Sequence, residues 1–178
     1  MRRVFIAVFA GVMLASGAAR AQSDLPRADT VVKPRAYVSL EPVPRGRTFE
    51  IAVVAEILAG FHINANKVLQ DYLIPTSLDG ELPKGFKVAE VRYPEGKLLK
   101  FDFSPEKLSV YEGTVTLRMK IEALADAPLG TVKLPLKLRY QACNDQACLP
   151  PVRKPVEVEF DVAAVGTKAV PVNQKIFR

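Results

Sequence analysis

Val132-Lys133-Leu134-Pro135-Leu136-Lys137-Leu138-Arg139-Tyr140 carries an apolar residue at every second position. That alternation belongs to a half-buried β-strand, with one face on a core and the other in water. Val115-Thr116-Leu117-Arg118-Met119-Lys120-Ile121 repeats it, and so does Val156-Glu157-Val158-Glu159-Phe160-Asp161-Val162. Pro135 occupies a polar position and cannot donate to a ladder, so its strand is expected at a sheet edge or a bulge.

Weaker strand signals lie at Ala36–Leu40, Phe49–Leu58, Tyr72–Leu78 and Phe86–Arg92. Between the strands stand Pro42-Val43-Pro44-Arg45-Gly46, Asp79-Gly80, Pro94-Glu95-Gly96 and Pro128-Leu129-Gly130, all turn chemistry. Asn66 to Tyr72 is the one stretch suited to a short helical turn. About seven short strands, and no long amphipathic helix, predict an all-β immunoglobulin-like sandwich. The domain is expected over 35–163, with a flexible lead-in at 22–34 and a flexible tail at 164–178.

Residues 1–21 read as a cleavable leader: Arg2 and Arg3, an apolar run from Val4 to Leu14, then Ala19-Arg20-Ala21. The run falls short of the roughly 20 apolar residues that cross a bilayer. No cysteine follows it, so neither a membrane span nor a lipid anchor is expected. The remainder is long enough for one domain, and at 49% hydrophobic and 25% charged the chain is globular rather than disordered. Without Arg2, Arg3 and Arg20 the net charge falls from +6 to +3. The remaining basic side chains, such as Arg118, Lys120, Lys133, Lys137 and Arg139, alternate along strands among acids. A nucleic-acid surface needs a clustered basic face, so that class is excluded.

Export would put Cys143 and Cys148, the two cysteines, in an oxidising compartment. Four residues separate them, including the turn-forming pair Asn144-Asp145. The pair therefore sits on a hairpin between two of the clearest strands, at one end of the sandwich, close enough to be bridged. Pro150-Pro151 stiffens the way out.

Three readings stay open on these residues alone. A staple closing so short a loop contributes only about 2 kcal/mol. A zinc site would have two thiolates and His62, an incomplete set, and no metal or cofactor is expected. Redox exchange is the third. The chain has no Cys-x-x-Cys and no helix N-terminus to lower a thiol pKa, so an exchange would rely on a partner's activated thiol.

Tyr140-Gln141-Ala142-Cys143, a polar spacer, and Cys148-Leu149-Pro150-Pro151 resemble the active-site hairpin of the amino-terminal periplasmic domain family of the thiol:disulfide interchange protein DsbD. Gly60-Phe61-His62-Ile63-Asn64-Ala65-Asn66-Lys67 and Lys107-Leu108-Ser109-Val110-Tyr111-Glu112 are similar to other segments of that family. The resemblance implies an immunoglobulin-like sandwich in the periplasm that passes electrons between thioredoxin-like proteins, including those of cytochrome c maturation. It implies that Cys148 forms the mixed disulfide with a partner and that Cys143 resolves it. The sequence has no thioredoxin-like pattern of its own, so donor and acceptor are both expected in trans.

The resemblance also implies an aromatic cap over the dithiol, matched by Lys100-Phe101-Asp102-Phe103-Ser104-Pro105, with Phe103 the first choice and Phe101 the second. His62 and Asn64 share a face that the match sets near the cysteines, where a hydrogen bond to a thiolate or a partner would be possible. Tyr140 adjoins the hairpin on the apolar side of its strand, a core position. The competing class is a secreted binding module in which the bridge is only structural; fold alone does not decide between them.

Overall fold

The computed structural model describes residues 25–178, so the leader expected at 1–21 lies outside them. In chain order the first strands are β1 (Val32–Val38), β2 (Leu40–Glu41), β3 (Val43–Pro44), β4 (Thr48–Ile57), β5 (His62–Asn64), β6 (Ser77–Gly80) and β7 (Phe86–Arg92). They are followed by β8 (Lys97–Lys100), β9 (Lys107–Tyr111), β10 (Thr114–Ala123), β11 (Gly130–Tyr140), β12 (Ala142–Cys143), β13 (Val152–Ala163) and β14 (Val170–Pro171). The three alternating segments form the long strands β10, β11 and β13. Each buries every second residue: Val115 to Ala123, Val132 to Tyr140, and Val156 to Val162.

Two four-stranded sheets, β1-β4-β10-β7 and β3-β13-β11-β6, pack face to face in an immunoglobulin-like sandwich. Phe49 on β4 meets Phe160 on β13 at 5.0 Å between ring centroids, and Phe86 on β7 meets Phe160 edge-on at 5.9 Å. Ile51, Leu117, Met119, Leu134 and Leu138 fill the layer around them. Each such side chain contributes roughly 1.5–3 kcal/mol of burial. β6 covers β11 only from Leu136 to Arg139, so Pro135 stands one residue past its end, on a local edge.

At one end the long strands leave these sheets and pair again. β11 stops at Tyr140, and after Gln141 the chain joins β12 to β5, with Ala142 opposite Ile63 and Cys143 opposite His62. β5 pairs with β9, and β9 with β8, giving a small third sheet in the order β12-β5-β9-β8. This sheet carries the site.

Several boundaries differ from those expected. The lead-in acquires regular structure from Ala28: a 3-10 turn at Ala28–Thr30 runs into β1, and Val31 and Val32 are buried. The Tyr140 hydroxyl donates to the Ala28 carbonyl at 2.9 Å, and the Lys154 ammonium donates to the Asp29 carbonyl. The tail also has structure. β14 pairs with β2, Asn173 Nδ2 donates to the Val38 carbonyl at 2.9 Å, and a helical turn follows at Gln174–Phe177. Arg118 on the outer face of β10 donates to the Ile176 carbonyl at 2.8 Å.

The stretch from Asn66 to Tyr72 forms turns and bends rather than a helical turn, and the strand expected from Tyr72 begins only at Ser77. Tyr72 is 72% exposed. Asp79-Gly80 ends β6 instead of punctuating it, because that strand is pinned to the Leu136–Arg139 backbone.

Candidate functional site

Cys143 and Cys148 form a disulfide across one tight turn, with 4.0 Å between their Cα atoms. The turn is built by Asn144. Its backbone N–H donates to the Ala147 carbonyl at 3.0 Å, and its side-chain Oδ1 accepts from the N–H groups of Gln146 (2.9 Å) and Ala147 (2.8 Å). Such an Asx turn mimics a backbone turn and leaves the flanking residues antiparallel. Leu149 N–H then donates to the Ala142 carbonyl at 2.8 Å, closing the hairpin on the side of the core.

The two sulfur-bearing residues are unequal. Cys143 is 1% exposed, held in β12 against β5, whereas Cys148 is exposed. An incoming sulfur must approach along the axis of the bond it breaks. Of the two, Cys148 is the residue that solvent reaches, and Cys143 is covered.

Residues directly opposite in an antiparallel pair project from the same face, a few ångströms apart. His62 stands in that relation to Cys143. Its ring is 2% exposed and stacks on Phe101, with centroids 4.1 Å apart and planes 23° apart. Phe103 stacks on Phe101 at 5.4 Å and lies 6.5 Å from the His62 ring. Both phenylalanines belong to the turn joining β8 to β9, which is closed by Ser104 N–H donating to the Phe101 carbonyl at 3.1 Å. Lys100 Nζ, donating to the Ser104 carbonyl, ties the turn to β8.

The segment expected to form the cap is a hairpin tip, and the two aromatics have different places in it. Phe101 is buried with Leu108 and Val110 and carries the contact with His62. Phe103 is 43% exposed on its outer side, and Asp102 is exposed between them.

The Nε2 atom of His62 is buried without a hydrogen-bond partner among the described residues. Leaving a polar nitrogen so costs roughly 1–3 kcal/mol. Burial holds the imidazole pKa below its ordinary value, opposed by the negative charges of Glu112 and Asp145. Burial thus favours the neutral ring.

Asn64 and Tyr140 have structural work. Asn64 Nδ2 donates to the Ile74 carbonyl at 3.0 Å, and its backbone N–H donates to the Gln141 carbonyl at 3.3 Å. The Tyr140 hydroxyl is spent on Ala28, and burial pushes its pKa up to about 12.

Two supports escaped the sequence reading. Thr76 Oγ1 donates to the Asn64 carbonyl at 2.6 Å, and Asn66 Nδ2 donates to the Thr76 carbonyl at 2.9 Å, lacing β5 to the segment before β6. The Asn64-Ala65-Asn66 spacing was the available signal. It reads as turn chemistry until the 74–76 backbone is placed beside it.

A depression of roughly 670 Å3 lies elsewhere, between β7 and β8, lined by Asn66, Leu69, Tyr93, Gly96 and Leu98 among others. The disulfide is at a hairpin tip, presented outward. Among the described residues no helix is long and apolar enough to cross a membrane.

Residues 28–159 match the family model described as the N-terminal part of the thiol:disulfide interchange protein DsbD. The N-terminal periplasmic domain of ScsB from Proteus mirabilis superposes with a TM-score of 0.50 at 11% identity, over 74% of this chain and 47% of that one. The chain thus spans about half the length of that relative. The full-length major pilin SpaD from Corynebacterium diphtheriae aligns at a TM-score of 0.40 and 12% identity, over 72% of this chain and 34% of the pilin. No curated protein sequence matches. At these identities the structural likeness concerns the fold alone.

Proposed function

This chain belongs to the family of DsbD N-terminal domains, a thiol-disulfide exchange family, and from that premise we propose that it relays electrons between thioredoxin-like proteins in the periplasm through Cys143 and Cys148. The observation that carries the reading is the unequal burial of the bridge, with Cys148 exposed on a hairpin tip and Cys143 shielded beneath it. In the reduced protein the Cys148 thiolate attacks a partner's disulfide and forms a mixed disulfide, releasing one partner thiol. Cys143 then attacks the Cys148 sulfur, the mixed disulfide breaks, and the partner leaves as a dithiol. Two electrons pass to the partner and the Cys143–Cys148 bond forms again. A donor dithiol runs the same steps in reverse. On this reading the leader expected at 1–21 delivers the chain to the compartment where thioredoxin-like partners are met.

The reduction potential of the pair tests this directly. A structural bridge lies below about −300 mV, and a working relay lies above it. Equilibration of the full chain with glutathione or dithiothreitol mixtures should place this pair well above that limit. A value below it would favour the reading of a secreted binding module with a stapled hairpin.

The cap gives a second expectation. Phe101 rests on His62, the neighbour of Cys143, and Phe103 rests on Phe101. Removing either ring opens that side of the hairpin. Reduction of the disulfide by a small thiol should speed up in Phe101→Ala and Phe103→Ala, by roughly two- to tenfold as the S–S bond gains access. Phe101→Ala should also lose stability, by about 3 kcal/mol, because it empties a buried position. Unchanged reduction rates in both variants would leave the two rings as ordinary packing residues.

A further inference from the structure

Among the described residues His62 Nε2 is a buried nitrogen without a hydrogen-bond partner, and it belongs to the residue directly opposite Cys143. In the oxidised hairpin the Cys143 sulfur has no proton to offer. When the bridge opens, that sulfur becomes a thiol, and the face of β5 and β12 gains one donor on the residue opposite a nitrogen that can accept when the ring proton is on Nδ1. The unmet nitrogen of the oxidised state is the complement of the reduced one.

Resting on the relay reading, we infer that His62 is the proton acceptor for the resolving thiol. Its neutral ring takes the Cys143 proton at Nε2 while the Cys143 sulfur attacks the Cys148 sulfur of the mixed disulfide. The Cys143–Cys148 bond forms and the bond from Cys148 to the partner breaks. The electron pair leaves on the partner sulfur, which takes up a proton from the imidazolium or from water. In the reverse direction a donor thiolate attacks Cys148, the bridge breaks, and the pair lands on Cys143, which is protonated by the same imidazolium.

The need for a base follows from burial. Cys148 is exposed and can lose its proton to water, whereas Cys143 is 1% exposed and lacks that route. Accepting a proton at Nε2 requires the ring to be neutral at working pH, with its other proton on Nδ1. Burial favours that form by disfavouring the charged ring. Glu112 follows β9 and Asp145 lies in the hairpin turn; both favour the imidazolium once it forms. On the cap turn, Lys100 is held by the Ser104 carbonyl and Glu106 by Gln70, while Asp102 is exposed. The stack with Phe101 fixes the plane of the ring.

The reduced full-length chain, mixed with 5,5′-dithiobis(2-nitrobenzoic acid), tests the assignment because it releases two coloured thiolates in turn. Attack by Cys148 frees the first, and resolution by Cys143 frees the second. In the native protein the rate of the second release should rise with pH and level off with a midpoint below the ordinary histidine value of about 6.5. His62→Phe keeps an aromatic ring for the stack and removes the nitrogen. Its second release should fall relative to the first by roughly tenfold or more at about pH 7, and should climb about tenfold per pH unit towards the thiol range near 8.5. His62→Gln should show the same lost plateau.

A native profile that rises only in the thiol range would overturn the assignment without any variant. So would a His62→Phe or His62→Gln protein that keeps the native ratio and profile. If the native chain shows no second release at all, the relay reading fails and takes this assignment with it; a native second release that is indifferent to His62 sinks the assignment alone.

Discussion

Cys143→Ala is expected to hold a thioredoxin-like partner as a covalent complex, and Cys148→Ala to hold little or none. In the first variant the exposed Cys148 thiol remains at the hairpin tip and attacks a partner's disulfide, but the sulfur that would expel the partner is gone. In the second variant the remaining thiol is on a residue 1% exposed, behind the turn and opposite His62, where a folded partner's disulfide has no approach. The difference in trapped complex should be roughly tenfold or more, since exchange needs both a thiolate and an open line to the sulfur it attacks. Non-reducing gels of periplasmic extract, with the complex identified by mass spectrometry, read it out. Equal trapping would mean that burial does not divide the roles. No trapping by either variant, together with a bridge that resists reduction in the native protein, would return Cys143–Cys148 to a structural staple.

The largest stability loss from a one-carbon change is expected at Gly85, far from the cysteines. Gly85 has φ +90°, and a Cβ placed there would stand 2.3 Å from the Ala127 Cα and 2.7 Å from its nitrogen. Both neighbours are backbone and cannot turn aside. Leu124 N–H donates to the Gly85 carbonyl at 2.8 Å, and Ala127 N–H donates to the Leu124 carbonyl at 3.1 Å, so the loop before β11 is tied to this point. Gly85→Ala combines a strained backbone with overpacking and should cost about 3 kcal/mol or more. Gly130→Ala is the control. Gly130 has φ +89° but nothing within 4 Å of the added carbon, so it should lose only about 1 kcal/mol. Urea unfolding of both variants separates strain from collision, and equal losses would mean that the approach to Ala127 relaxes at little cost.

Gly85 also marks a limit of sequence reading. A glycine after Pro83-Lys84 reads as turn punctuation, and the turn does not require it to be so tightly constrained. The constraint comes from Ala127, which reaches the same place from more than forty residues away. The strand boundaries divide in the same way. Phe86–Arg92 was legible to the residue because β7 carries its own signal. The strand ascribed to Tyr72–Leu78 shrank to Ser77–Gly80 because its extent is set by the backbone of β11. The lead-in and tail looked structureless because Ala28–Thr30 and Val170–Pro171 have no periodicity. They are held by the Tyr140 hydroxyl and by β2, which lie far off in sequence.

The alternating strands β10, β11 and β13, the all-β class, the Asn144 turn and the closeness of Cys143 to Cys148 are all legible in the order of the amino acids. All of these depend on neighbours within a few residues, where side-chain alternation and turn chemistry act directly. Packing of the whole chain placed the change of sheets at Gln141, which brings His62 opposite Cys143 and buries one cysteine while leaving the other exposed. It also set Phe101 rather than Phe103 against the His62 ring. A period of two says which face of a strand is buried, but not which strand will lie beside it. That choice is made by packing between segments some eighty residues apart.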